Sequence, residues 1–249
     1  MSAETNHAFL PDDARALLQK DTPGLELLRY WKNTAETLSE PARVLLSYLV
    51  SGLIGRGWAH PIEKAMESAG ETLDLKPDAL KAALAELQAA DLLTLDGSRI
   101  ATLGGLLSTR ATGAQLYIDH EHQVHLLGPF AGLAVTIALQ KPGEVRVVCS
   151  HDRATKLVLV SDINGVVSRD PETVAVFLPS WDGIVSPTAA MAAGGFFADD
   201  EALGKWEEEK KDPPGMPLAS FMFPMAATDL GQQLGQAMHA ILNHLPDFS

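Results

Sequence analysis

Near residue 110 the apolar residues change from a helical to a strand spacing, so the chain must fold as a helical part followed by a sheet-containing part. Upstream, Ser39 can cap a helix with Pro41 at its start, and Val44, Leu45, Tyr48, Leu49 and Leu53 form one stripe. A second helix is expected from near Pro61. A third opens at Pro77, where Leu80, Ala83, Leu84 and Leu87 recur at intervals of three and four. Residues 92–95 and 100–103 then flank Asp96-Gly97, a favoured hairpin turn. Three helices followed by a hairpin make a winged-helix arrangement.

Downstream, residues 115–119 and 123–127 can pair around a polar turn at 120–122. Residues 144–149 place Val145, Val147 and Cys149 on one face, and 156–161 and 173–178 are short β-branched runs. Asp162-Ile163-Asn164-Gly165 reads as a turn, and 130–139 as a short buried helix. Residues 217–225 are a last strand candidate. Thr228 is expected to cap a helix with Leu230, Leu234, Ala237, Met238, Ile241, Leu242 and Leu245 on its core face, ended by Pro246. Before all this, residues 1–40 read as two short helices broken at Thr22-Pro23-Gly24. The expected organisation is therefore a helical arm (1–40), a winged-helix-like domain (41–110) and an α+β domain with a mixed or antiparallel sheet (111–249).

Charge narrows the partners. The net charge is -13, a poor match for phosphate backbones or anionic lipid. Within 41–110 seven Lys/Arg stand against eight Asp/Glu, and the outward face of the third helix offers Asp78, Lys81, Glu86 and Gln88. A DNA-reading helix needs several cationic phosphate contacts, so this winged helix reads as packing scaffold, and no nucleic acid is expected. No apolar run reaches the roughly 20 residues a bilayer requires, and the N-terminus lacks the pattern of a signal peptide, so a cytoplasmic protein is expected. The chain has one cysteine, Cys149, and no internal disulfide can form.

Several segments resemble the alkylmercury (organomercurial) lyase family in the right order over about residues 41–245. Tyr117-Ile118-Asp119 through Val124-His125-Leu126-Leu127-Gly128 looks like the hairpin leading to that family's first catalytic cysteine. Val147-Val148-Cys149-Ser150 is similar to the strand bearing its buried structural cysteine, and 174–179 to the strand before its second catalytic cysteine. Gly195-Phe196-Phe197-Ala198 with Trp206, and Thr228-Asp229-Leu230-Gly231-Gln232, resemble two further segments. The resemblance implies a winged helix joined to a small α+β domain. It also implies cleavage of a carbon–mercury bond by two thiolates and a proton-delivering aspartate. Carried over by position, those three groups fall on Gly128, Ala131 and Met191. One cysteine cannot supply two thiolates, and a thioether is a weak neutral ligand, so the mercury reaction is not expected.

What remains is a site of small neutral residues. Leu127, Gly128, Phe130, Ala131, Met191, Ala192 and Gly195 are the expected lining of a pocket for an organic molecule; the competing reading is that the glycines and alanines simply let helix and strand pack tightly. His125, His151 and Asp182 are the candidate acid–base residues. Cys149 reads as a buried core thiol. His120, His122 and a nearby carboxylate could hold zinc, but they fall on a turn and lack a fourth ligand, so no metal is expected. No nucleotide, dinucleotide or hydrolase motif is present, and no cofactor is expected. The leading expectation is a cofactor-independent lyase, isomerase or cyclase acting on a small organic molecule, in a setting such as specialised metabolism, with a homodimer allowed. Its rivals are a non-catalytic ligand-binding or sensor protein, and a degenerate lyase using Cys149 alone.

Overall fold

The computed structural model describes residues 25–56, 61–118, 122–221 and 223–242. Four helices come first: α1 (Leu25–Thr37), α2 (Glu40–Arg56), α3 (Ile62–Leu73) and α4 (Pro77–Ala89). Ser39 precedes α2, where its hydroxyl accepts from the Ala42 amide at 3.4 Å. The same residue donates from its amide and hydroxyl to the Glu86 carboxylate of α4, which ties the start of α2 to the third helix of the winged-helix-like part. In α1, Leu27 and Trp31 stand one turn apart and are both buried. The earlier of the two N-terminal helices lies outside the described residues.

The hairpin β1 (Leu93–Asp96) and β2 (Arg99–Leu103) follows α4. Asp96 pairs directly with Arg99, so the central turn residues are Gly97 and Ser98 rather than Asp96 and Gly97. Gly97 sits at φ +59, the positive φ that the turn requires of its first central position. Through β3 (Leu107–Ser108) the hairpin continues into the strands of the downstream half: β4 (Ala114–Ile118), β5 (His122–Leu126), β6 (Gly143–Val148), β7 (Lys156–Asp162) and β8 (Gly165–Asp170). The eight strands form one sheet in the order β1-β2-β3-β5-β4-β6-β7-β8, and every pairing in it is antiparallel. The fold is α+β.

One face of this sheet carries the core. Leu116, Ile118, Val124, Leu126, Val145, Val147, Leu157 and Leu159 alternate inward along four strands, as period-two burial dictates. Against them lies α5 (Pro129–Leu139), buried at every residue, with α8 (Phe223–Leu242) packed on it. A second, three-stranded antiparallel sheet has the order β10-β9-β11, from β9 (Ala175–Pro179), β10 (Gly195–Phe197) and β11 (Gly215–Leu218). Helix α7 (Asp200–Lys210) packs on it, helix α6 (Pro187–Ala192) precedes β10 in the chain, and Phe177, Phe197, Leu203 and Trp206 form its own small cluster.

Two expected boundaries move. The strand expected over 217–225 stops at Leu218, and the chain turns where the Asp200 carboxylate takes the Ser220 amide and hydroxyl at 2.6 and 2.8 Å. Helix α8 then begins at Phe223, with Pro224 in its first turn, where a missing N–H costs nothing. Thr228 therefore lies inside the helix and is not its cap. Leu245 and Pro246 lie outside the described residues.

Candidate functional site

The residues expected to form a pocket meet where β5 runs into α5. Leu127 leaves the strand with its amide donating to the Leu106 carbonyl at 2.8 Å. Gly128 follows in fully extended backbone and serves as the N-cap, and Pro129 occupies the first helical position. The Gly128 carbonyl accepts from the Gly132 amide at 3.1 Å. A Cβ on Gly128 would fall inside the contact radius of the Met191 carbonyl oxygen and 3.2 Å from the Ala192 Cα. Both are backbone atoms, so α6 can lie this close only because residue 128 has no side chain. Phe130, Ala131 and Met191 are buried, and Ala192 is exposed.

Helix α6 is held from three directions. Ser186 caps it, its hydroxyl accepting from the Ala189 amide at 3.1 Å. Thr188 donates from its amide to the Asp91 carboxylate at 2.5 Å and from its hydroxyl to the Asp91 carbonyl at 3.0 Å. Trp181, at the start of the loop before the helix, meets the Tyr30 ring edge-on with centroids 5.1 Å apart. Burial pushes the Tyr30 phenol up, and its hydroxyl donates to the Ala90 carbonyl. The end of α4 and the side of α1 are thus the anchor for the segment that carries Met191. The loop itself projects outward: Ile184 is 85% exposed and Val185 50%.

Gly195 opens β10 against the turn after β6. A Cβ there would collide with the Ser150 hydroxyl, and the Ser150 amide donates to the Phe196 carbonyl at 2.7 Å, joining the two sheets. Cys149 immediately precedes and is fully buried. Its amide donates to the Thr155 carbonyl at 2.8 Å.

The three acid–base candidates are placed differently. His125 lies on β5 between the inward Val124 and Leu126 and so faces the other side of the sheet, beside Gln115 and Ser108 on the neighbouring strands. Its Nδ1 is buried and has no hydrogen-bond partner among the described residues. His151, in the turn after β6, is half-buried, with Nε2 3.4 Å from the Glu209 carboxylate on α7. Asp182 is exposed and accepts from the Ile184 amide at 2.9 Å within its own loop. No hydrogen bond or ion pair joins any two of the three.

The clamp between Asp91 and Thr188 went unread in the sequence, although Ser186-Pro187 is a helix-start signal that announces α6. Among the described residues no three His, Cys, Asp or Glu are grouped as a metal site; His120 and Glu121 lie outside those residues. Among the same residues no helix is long and apolar enough to cross a membrane.

No protein-family model matches the chain, and no curated protein matches it in sequence. Solved structures do. The mercury-bound form of MerB2 superposes with a TM-score of 0.64 over 86% of this chain and 99% of that one, at 15% identity. The chain has an alkylmercury-lyase-like fold. At this identity the likeness establishes the scaffold: helices first, then an antiparallel sheet with its buried helix. The seam between α5 and α6, where Gly128 meets Met191, lies within that scaffold.

Proposed function

We propose that the chain is an enzyme of alkylmercury-lyase-like fold that works on a small organic molecule and not on a carbon–mercury bond. The observation that carries this reading is the contact at Gly128. By the resemblance, that position holds the family's first catalytic cysteine, and here any side chain would strike the Met191 backbone. The other two catalytic positions fall on Ala131 and Met191, both buried and neither able to carry charge. The only thiol, Cys149, is fully buried on the inner face, out of reach of a bulky metal reagent.

On this reading the substrate site is the seam lined by Leu127, Gly128, Phe130, Ala131, Met191, Ala192 and Gly195; the Gly128–Met191 contact closes it in this structure, so a guest enters only when α6 leaves its Asp91–Thr188 bonds. The apolar lining supports an organic guest held by burial at about 25 cal/mol per Å2. The exposed Ile184 and Val185 belong to the segment that would have to move. Of the proposed acid–base groups, His125 keeps a buried ring nitrogen without a partner among the described residues, but on the sheet face opposite α5 and the seam. His151 and Asp182 are the further candidates. The reaction class is a lyase, isomerase or cyclase step without a resident metal or redox cofactor. The winged-helix-like part (41–110) is proposed to act as scaffold for 111–249, and its strands entering the common sheet support that role.

The chain has seven methionines, and their methyl signals report on separate places. In a methyl-labelled sample titrated with a library of neutral organic compounds, the Met191 signal is expected to shift saturably with at least one ligand class. A Met191 signal unmoved by every compound up to roughly millimolar concentration, the weak limit of useful affinity, would overturn the proposed pocket.

A further inference from the structure

A groove apart from this seam lies in the winged-helix-like part. Helices α3 and α4 diverge around a groove of about 510 Å3. Its walls are apolar: Ile62, Met66 and Gly70 succeed one another by whole turns of α3, and Leu80 and Leu84 face them from α4. The volume falls within the range of small-molecule sites. Along the same wall of α3 run Glu63, Glu67 and Glu71, each exposed, spaced four residues apart over about 12 Å. None of the three makes an ion pair or a side-chain hydrogen bond among the described residues, and Lys81 is the one cation that lines the groove. Like charges at this spacing oppose one another on an isolated helix. A guest with a cationic head would relieve that repulsion.

We infer that this groove binds an amphiphilic organic cation, its apolar body between Met66 and Leu84 and its charged head beside the carboxylates of α3. A small molecule fits better than a partner protein, because the large exposed apolar side chains of the described residues all lie elsewhere, so apolar surface here is confined to the groove itself. The inference is independent of the pocket proposed at Met191.

The test uses the full chain with labelled methionine methyls, titrated with decylammonium and, separately, with decyl sulfate, which has the same tail and the opposite charge. Decylammonium is expected to shift Met66 saturably and decyl sulfate to leave it unmoved. The variant E63Q/E67Q/E71Q, which removes the three carboxylate charges that would attract the cationic head, is expected to bind decylammonium about tenfold more weakly. Gly70→Leu, whose Cβ would lie 2.9 Å from the end of Leu80, fills the groove and is expected to abolish the shift. Equal binding of both amphiphiles would overturn the inference, as would unchanged affinity in the triple variant. So would a Met66 shift produced without ligand, either by dilution or by removal of residues 1–24, since the groove would then belong to a second copy or to the chain's own segment.

Discussion

A single turn gathers unusual weight around one carboxylate. Asp152 accepts from the Thr155 hydroxyl, from the Ala154 amide at 2.8 Å and from the Thr155 amide at 2.9 Å. These bonds, the Thr155 hydroxyl foremost, hold its pKa down to about 2. The unfolded chain has an ordinary carboxylate near ~3.9, so the folded form binds its proton less readily. The resulting stabilisation is complete above about pH 4 and disappears as the pH falls toward 2. In urea titrations, Asp152→Asn is expected to be less stable than the parent at pH 6, with the gap closing between pH 4 and 2. A gap independent of pH would show that the turn does not depend on the ionised group. At the same scale, neither Gly128 nor Gly195 announces its role in the sequence: a glycine at a strand end reads equally as an open pocket or as a close contact. Only the neighbour, a Met191 carbonyl or a Ser150 hydroxyl distant in sequence, distinguishes the two.

Among the elements, the pair α5 and α8 depends on two glycines a turn apart. A Cβ on Gly235 would stand 2.5 Å from the Ile137 Cβ, and one on Gly231 would strike the Leu133 carbonyl. In an exposed helix, Gly→Ala stabilises by about 1 kcal/mol. Here the sign is expected to reverse: Gly235→Ala forces the helices apart and should cost about 1–3 kcal/mol, read as a lower midpoint in chemical denaturation. A stabilised variant would mean that α8 is not seated on α5. Elements with strong periodic signals were legible in advance, including α1 to α4, the β1–β2 hairpin and α5, whose residues are buried all round. The missed ones have weak signals for physical reasons. In β8, only Gly165 is fully buried, so no alternation shows; β3 and β10 are two and three residues long. The 217–225 run misled because its apolar residues belong to two elements divided at Ser220.

For the molecule as a whole, the proposal separates shape from chemistry. The scaffold follows that of mercury-bound MerB2 over nearly all of that chain at 15% identity, while the sequence offers one thiol and encloses it completely. A fold is carried by many apolar positions that tolerate exchange for one another, whereas a two-thiolate reaction fails with the loss of either sulfur. That asymmetry is why the scaffold could be read from scattered segments and the substrate could not. The most direct measurement is methane evolved from methylmercury by the purified chain in the presence of a small thiol, against the same mixture without protein. The two rates are expected to coincide. Methane released in proportion to the protein, over repeated turnovers, would contradict the central proposal that this chain does not cleave carbon–mercury bonds.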